Sequence, residues 1–191
     1  NGAAGTVDYE NGTVENPVDS IADANTLAAS LGIARFEVLD GSSITFAAAQ
    51  SGQFFTGKTW TVALGGQNIA GSSFEGASVS GIAAGTGATQ RYANCILNAV
   101  SHLKNTHAHE CSIAGTQTLI EAGDIFYDRC HSGIAGTSTW VFDFGTAIGN
   151  SNLNWRNGSG GIQREAMGDT GRDTASIEGR GQIKEGSCTG G

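Results

Sequence analysis

Three short runs decide how this chain is read: Tyr92-Ala93-Asn94-Cys95, Ala108-His109-Glu110-Cys111 and Tyr127-Asp128-Arg129-Cys130. Each closes on a cysteine, and Phe74-Glu75-Gly76-Ala77 precedes them with alanine in the same place. The fourth positions, Ala77, Cys95, Cys111 and Cys130, stand 18, 16 and 19 residues apart. A second marker accompanies them: Ile69-Ala70-Gly71, Ile82-Ala83-Ala84-Gly85, Ile113-Ala114-Gly115-Thr116 and Ile134-Ala135-Gly136-Thr137. A repeat of under about 22 residues, built from two or three short strands and turns, reads as one coil of a β-solenoid. Coils stack about 4.8 Å apart, so equivalent residues form columns inside the tube. The cysteine/alanine series predicts one inward column and the isoleucine series a second.

Composition points the same way. Among 191 residues there are 30 glycines and one proline, Pro17. Glycine suits corners that need a positive φ. Proline is scarce because every coil donates amides to its neighbours. Glycine shows no three-residue period, which excludes collagen. Low charge, 15% of residues, and many isolated β-branched residues argue against a disordered chain. No run approaches the ~20 apolar residues of a membrane span, and no signal segment opens the chain. The sequence opens at Asn1 and has a single methionine, Met167, so it reads as a processed product or a piece of a longer protein.

Net charge is −8, with three lysines and seven scattered arginines. A nucleic-acid partner needs clustered cations against phosphate, and none are clustered here. The four cysteines allow two disulfides on paper. Their spacings of 16, 19 and 58 match no zinc motif, so the expectation is buried free thiols.

Residues 1–41 read as a turn-rich lead-in and a capping helix, and residues 42–191 as the coils. The helix has Asp19 or Ser20 as its cap, Asp23 in its first turn and Gly32 at its end. Ile21, Ala24, Leu27, Ala28 and Leu31 share one face at three/four spacing. After Gly32 the period becomes two: Phe36 and Val38, Ile44 and Phe46, then Trp60, Val62 and Leu64 alternate with polar residues. An open tube exposes unpaired strand edges. The helix covers them at the start. No matching cap follows, so another chain or further residues are expected at the far end. The fold class predicted is all-β, a right-handed parallel β-helix with a short N-terminal capping helix.

Gly12-Thr13, Asn16-Pro17-Val18 and the helix residues Ile21-Ala22-Asp23-Ala24 are similar to the start of right-handed β-helix proteins. The blocks Gly65-Gly66-Gln67-Asn68-Ile69, Phe142-Asp143-Phe144-Gly145, Gly149-Asn150 to Leu153 and Ser159-Gly160-Gly161-Ile162 resemble a more particular group. They look like a β-helix module of tail fibres and tail spikes of tailed bacteriophages. The resemblance covers nearly the whole chain; the helix start is shared with many β-helix enzymes, the glycine-rich blocks are not. It implies a trimeric virion appendage.

Some phage β-helices cut surface polysaccharide, so paired carboxylates matter: hydrolysis wants two, about 5–10 Å apart. Glu110 and Asp128 occupy matching places in successive repeats, with Asp143, Asp124 and Glu121 near in sequence. Solenoid exteriors also carry many solvated acids, which is the competing reading. His107 and His109 would share a strand face. At a three-fold axis three such pairs would offer six nitrogens to iron or another transition metal. A zinc site from Cys111, Cys130, His109 and His131 is disfavoured, because inward cysteines point away from outward histidines. No Gly-x-Ser-x-Gly elbow or phosphate-binding loop is present. Trp140, Phe142 and Phe144 alternate on one strand side, with Phe142 and Phe144 expected in the core. Trp155 with Arg156 is read as a subunit contact, or as a sugar platform.

The function expected is a structural, non-enzymatic segment of a tail fibre or spike, a rigid homotrimeric rod that positions host-recognition parts alongside other virion tail proteins. Two alternatives stand beside it: a polysaccharide-degrading tailspike or secreted β-helix enzyme, and an adhesion module that binds host glycan.

Overall fold

The computed structural model describes residues 12–85, 88–132, 139–143, 150–165 and 174–185. It is a parallel β-solenoid with one short helix ahead of the strands, as the repeats predict. The helix α1 (Ile21–Leu31) is capped by Ser20, whose Oγ accepts from the Asp23 amide at 3.1 Å and donates to Asp23 Oδ2 at 2.7 Å. Gly32, at φ 68°, closes it. Satisfying the free amides and carbonyls at each end is what lets so short a helix stand.

Fourteen strands follow: β1 (Arg35–Glu37), β2 (Ser43–Thr45), β3 (Phe54–Ala63), β4 (Ser73–Gly81), β5 (Arg91–Ala93), β6 (Ile96–His102), β7 (Thr106–His109), β8 (Ser112–Ala114), β9 (Thr116–Leu119), β10 (Asp124–Asp128), β11 (His131–Ser132), β12 (Thr139–Asp143), β13 (Asn152–Glu165) and β14 (Thr174–Glu185). Among the described residues every strand pairing is parallel. One side of the tube runs β1, β3, β4, β5, β7, β10, β13 and β14. A second side is built from β2, the later parts of β3 and β4, β6, β8 and β11. The end of β6, β9 and β12 make a third. Because β1 pairs with β3, the ladder starts at Arg35, inside the segment read from sequence as lead-in.

The predicted cysteine column exists. Ala77, Cys95, Cys111 and Cys130 are all buried, and the three cysteines are free thiols. The amides that follow them continue the ladder: Ser112 N donates to Cys95 O at 2.8 Å, His131 N to Cys111 O at 3.0 Å and Ser159 N to Cys130 O at 3.2 Å. Cys188 lies outside the described residues. The residue before each column member turns the corner in the left-handed region: Gly76, Asn94, Glu110, Arg129 and, one coil on, Asn157, at φ 52–71°. Glycine was expected to carry these corners; four of the five are not glycine. At Gly76 there is no choice, since a Cβ would sit 2.0 Å from the Gly57 carbonyl oxygen.

The isoleucine series is not one column. Ile113 is buried on the second side, in register behind Leu97 and Val79. Ile69 is buried beside the isolated bridge Asn68–Ala84, and Ile82 is exposed. Ile113 stands two residues after its column member Cys111 and Ile82 five after Ala77, so the two fall on different parts of their coils. Ile134 lies outside the described residues.

A column of rings fills the first side. Phe36, Phe55, Phe74 and Tyr92 stack at 5.0, 5.5 and 5.5 Å between centroids. Register places Ala108, Tyr127 and Trp155 next in line. Trp60, Val62, Leu64 and Phe46 are buried as their alternation predicts. Phe142 is buried, as expected; the side chain of Trp140 and all of Phe144 lie outside the described residues. The apolar face of α1 is only partly covered: Ala28 is buried and Ile21 packs on the core, whereas Leu31 is 64% exposed. A cleft of about 230 Å³ lies between α1, residues 12–18 and β1. No helix among the described residues is long and apolar enough to cross a membrane.

Candidate functional site

The corner between the first and second sides gathers most of the sequence-predicted chemistry. In β7 the burial alternates, with Thr106 and Ala108 inside and His107 and His109 outside. Both imidazoles share the outer face, as i and i+2 in a strand require. His109 stands in register with Asp128, which stands in register with Arg156. Glu110 and Arg129 occupy the corner column beside them, so Glu110 and Asp128 do not hold the matching places expected of them: Asp128 lies over His109, and the counterpart of Glu110 in the next coil is Arg129.

Contacts within this group tie coil to coil. His109 Nδ1 lies 3.0 Å from Asp128 Oδ2, and its Nε2 lies 3.6 Å from Glu110 Oε1. Arg129 Nη1 donates to Glu110 Oε1 at 3.2 Å. Asn157 Nδ2 donates to Asp128 Oδ1 at 3.1 Å. Opposite charges set one above another on neighbouring strands are the sheet's equivalent of a helical ion pair. The Asn157 amide, helped by His109 and Arg129, holds the Asp128 carboxyl below its usual range.

This geometry does not divide acid and base roles between Glu110 and Asp128. A general acid needs a carboxyl pushed upward by burial or by a like charge. Asp128 is held the other way, and both acids are more than 40% exposed. Neither the 230 Å³ cleft nor a smaller one of about 130 Å³ beside α1 is lined by them. Asp143 belongs to the third side, in register with Thr118, and is not brought to the other two.

Within one chain the two histidines stand in different surroundings. His107 packs against the Phe126 ring at 4.7 Å. Partial burial and the Arg91 guanidinium lower its pKa, and the same positive charge opposes a bound cation. His109 differs. A carboxylate on one ring nitrogen is the usual support for a metal-bound imidazole, and Asp128 supplies it. Among the described residues no group of three or more His, Cys, Asp or Glu side chains is arranged to hold a metal. The cysteines point inward and His109 outward, which dissolves the zinc alternative.

Trp155 requires a correction. It is buried in the core, and its Nε1 donates to Cys130 O at 3.1 Å, so it cannot serve as a surface contact or sugar platform. The cause is strand alternation: Leu153 and Trp155 point inward while Asn152, Asn154 and Arg156 point outward. That period of two was the signal available in the sequence. The outward ring at this place is Phe126, in register with His107 and Asn154.

The chain matches no family model, no curated protein and no solved structure.

Proposed function

We propose that this chain is a structural, non-enzymatic segment of a virion appendage, a tail fibre or tail spike, acting as a rigid trimeric rod that positions host-recognition parts. The observation that supports a rod is the unbroken parallel series β1, β3, β4, β5, β7, β10, β13 and β14 along one side. Each coil in such a stack satisfies its backbone through the next, so stiffness comes from repetition alone. The ion pairs at the outer corner serve the same end, tying coil to coil. The virion setting and the neighbouring tail proteins rest on the resemblance of the glycine-rich blocks. If His107 and His109 meet their copies at the trimer axis, His109, whose other ring nitrogen Asp128 holds, would offer nitrogen to iron or a similar metal.

Light scattering on the purified chain tests this reading. A mass three times the 19.4 kDa of one chain, unchanged on dilution, is expected. A stable monomer overturns it. Elemental analysis of that trimer decides the metal, and no stoichiometric metal removes it. One observation favours a second reading, a glycan-binding surface: the outward Phe126 ring sits in register beside Asn154, with Asn152 and Arg156 on the same face.

A further inference from the structure

The column of rings on the first side has one gap. Register puts Ala108 between Tyr92 and Tyr127, and alanine leaves the space of a ring unfilled. His102, from the end of β6, fills it. Its imidazole meets Tyr92 edge-on at 6.0 Å and Tyr127 at 5.9 Å, and it is fully buried.

Its hydrogen bonds fix its protonation. Gln117 Nε2 donates to Leu97 O at 3.2 Å and to Ala114 O at 2.7 Å, so Gln117 Oε1 is left as an acceptor. His102 Nε2 lies 3.0 Å from that oxygen and therefore carries the hydrogen. The Tyr127 hydroxyl oxygen, 2.8 Å from the same nitrogen, shares it. Nδ1 is left bare, buried and without a hydrogen-bond partner, as is the Tyr92 hydroxyl. The groups packed on the imidazole are phenols from β5 and β10 and an amide from β9; among the described residues no carboxylate, lysine or arginine bonds to it.

We propose that His102 is an acid-sensitive latch: the coils around Ala108 close on the neutral, Nε2-protonated imidazole, and a second proton at Nδ1 opens them. A cation there would have no counter-charge, and an uncompensated buried charge is among the costliest defects a core can hold. Burial pushes the His102 pKa down to about 4, from an ordinary 6.5. The unfolded chain then takes up the proton first as pH falls below 6.5. From pH 7 to 4 the folding constant drops by roughly 100-fold on account of this one group, toward a limit of roughly 300-fold at lower pH.

Nitrogen-15 NMR of the full chain at pH 7 is expected to show His102 as the Nε2-protonated tautomer, with no titration near 6.5. The folding constants of the parent chain and of H102Q, measured by denaturant from pH 7 to 4, should diverge, with the parent losing roughly 100-fold more. An Nδ1-protonated tautomer overturns the proposal. So does titration near 6.5 with the fold intact, or identical pH profiles for the two chains. If H102Q does not fold, the tautomer and titration of the unaltered chain decide alone.

Discussion

The first-side column is built in two different ways along its length. From Phe36 to Tyr92 each coil supplies its own ring to the same place, and the rings stack nearly parallel. Beyond Tyr92 the place falls to Ala108, and the ring comes from another side of the coil as His102, packed edge-on. The first stretch is held by apolar contact alone, which is indifferent to pH. The second is held by a polar group whose neutrality is a condition of the packing. One architecture thus has a region of fixed strength next to a region whose strength depends on protons.

The largest test of that contrast is Phe74→Ala, which removes a ring stacked on both sides. It should cost about 3–5 kcal/mol in denaturant unfolding, with no dependence on pH between 4 and 7. Next is the corner. Gly76→Ala should cost about 3 kcal/mol, the left-handed strain adding to the clash with the Gly57 carbonyl, whereas Asn94→Gly in the same column should be neutral or stabilising by up to about 1 kcal/mol. A similar loss, about 3 kcal/mol, is expected of the unaltered chain on acidification from pH 6.5 to 4. The sign follows from a folded pKa near 4 below the unfolded 6.5: stability is complete above 6.5 and is lost as protons bind the unfolded chain. Asp128→Asn should have the smallest effect. Its lowered carboxyl pKa means the contribution is present at neutral pH, is lost as pH falls through the folded value, and is screened by salt.

The cysteine column was legible because, from β4 onward, its members follow a corner made at the same distance, three residues, from the inward residue of the first side. Nothing comparable fixes the isoleucine series: Ile113 comes two residues after its corner and Ile82 five, so they reach different places. The carboxylates and histidines were legible as neighbours, since in-register coils bring Asp128 over His109. Their partners Arg129 and Asn157 were not: the left-handed corner they occupy is one that an arginine does not announce, and Asn157 stands one coil on from the last cysteine-marked repeat. Trp155 was misread by its polar neighbours when its own period of two pointed it inward. His102 went unnoticed, although the single small residue in the series Phe74, Tyr92, Ala108, Tyr127 marked the gap it fills.

The most direct test of the account is amide hydrogen exchange at Ser112, His131 and Ser159, the three amides that donate to Cys95, Cys111 and Cys130 carbonyls in successive coils. In-register parallel stacking predicts that all three are strongly protected at pH 7 and exchange together. Fast exchange at Ser112 or His131, while the flanking strands stay protected, would contradict it.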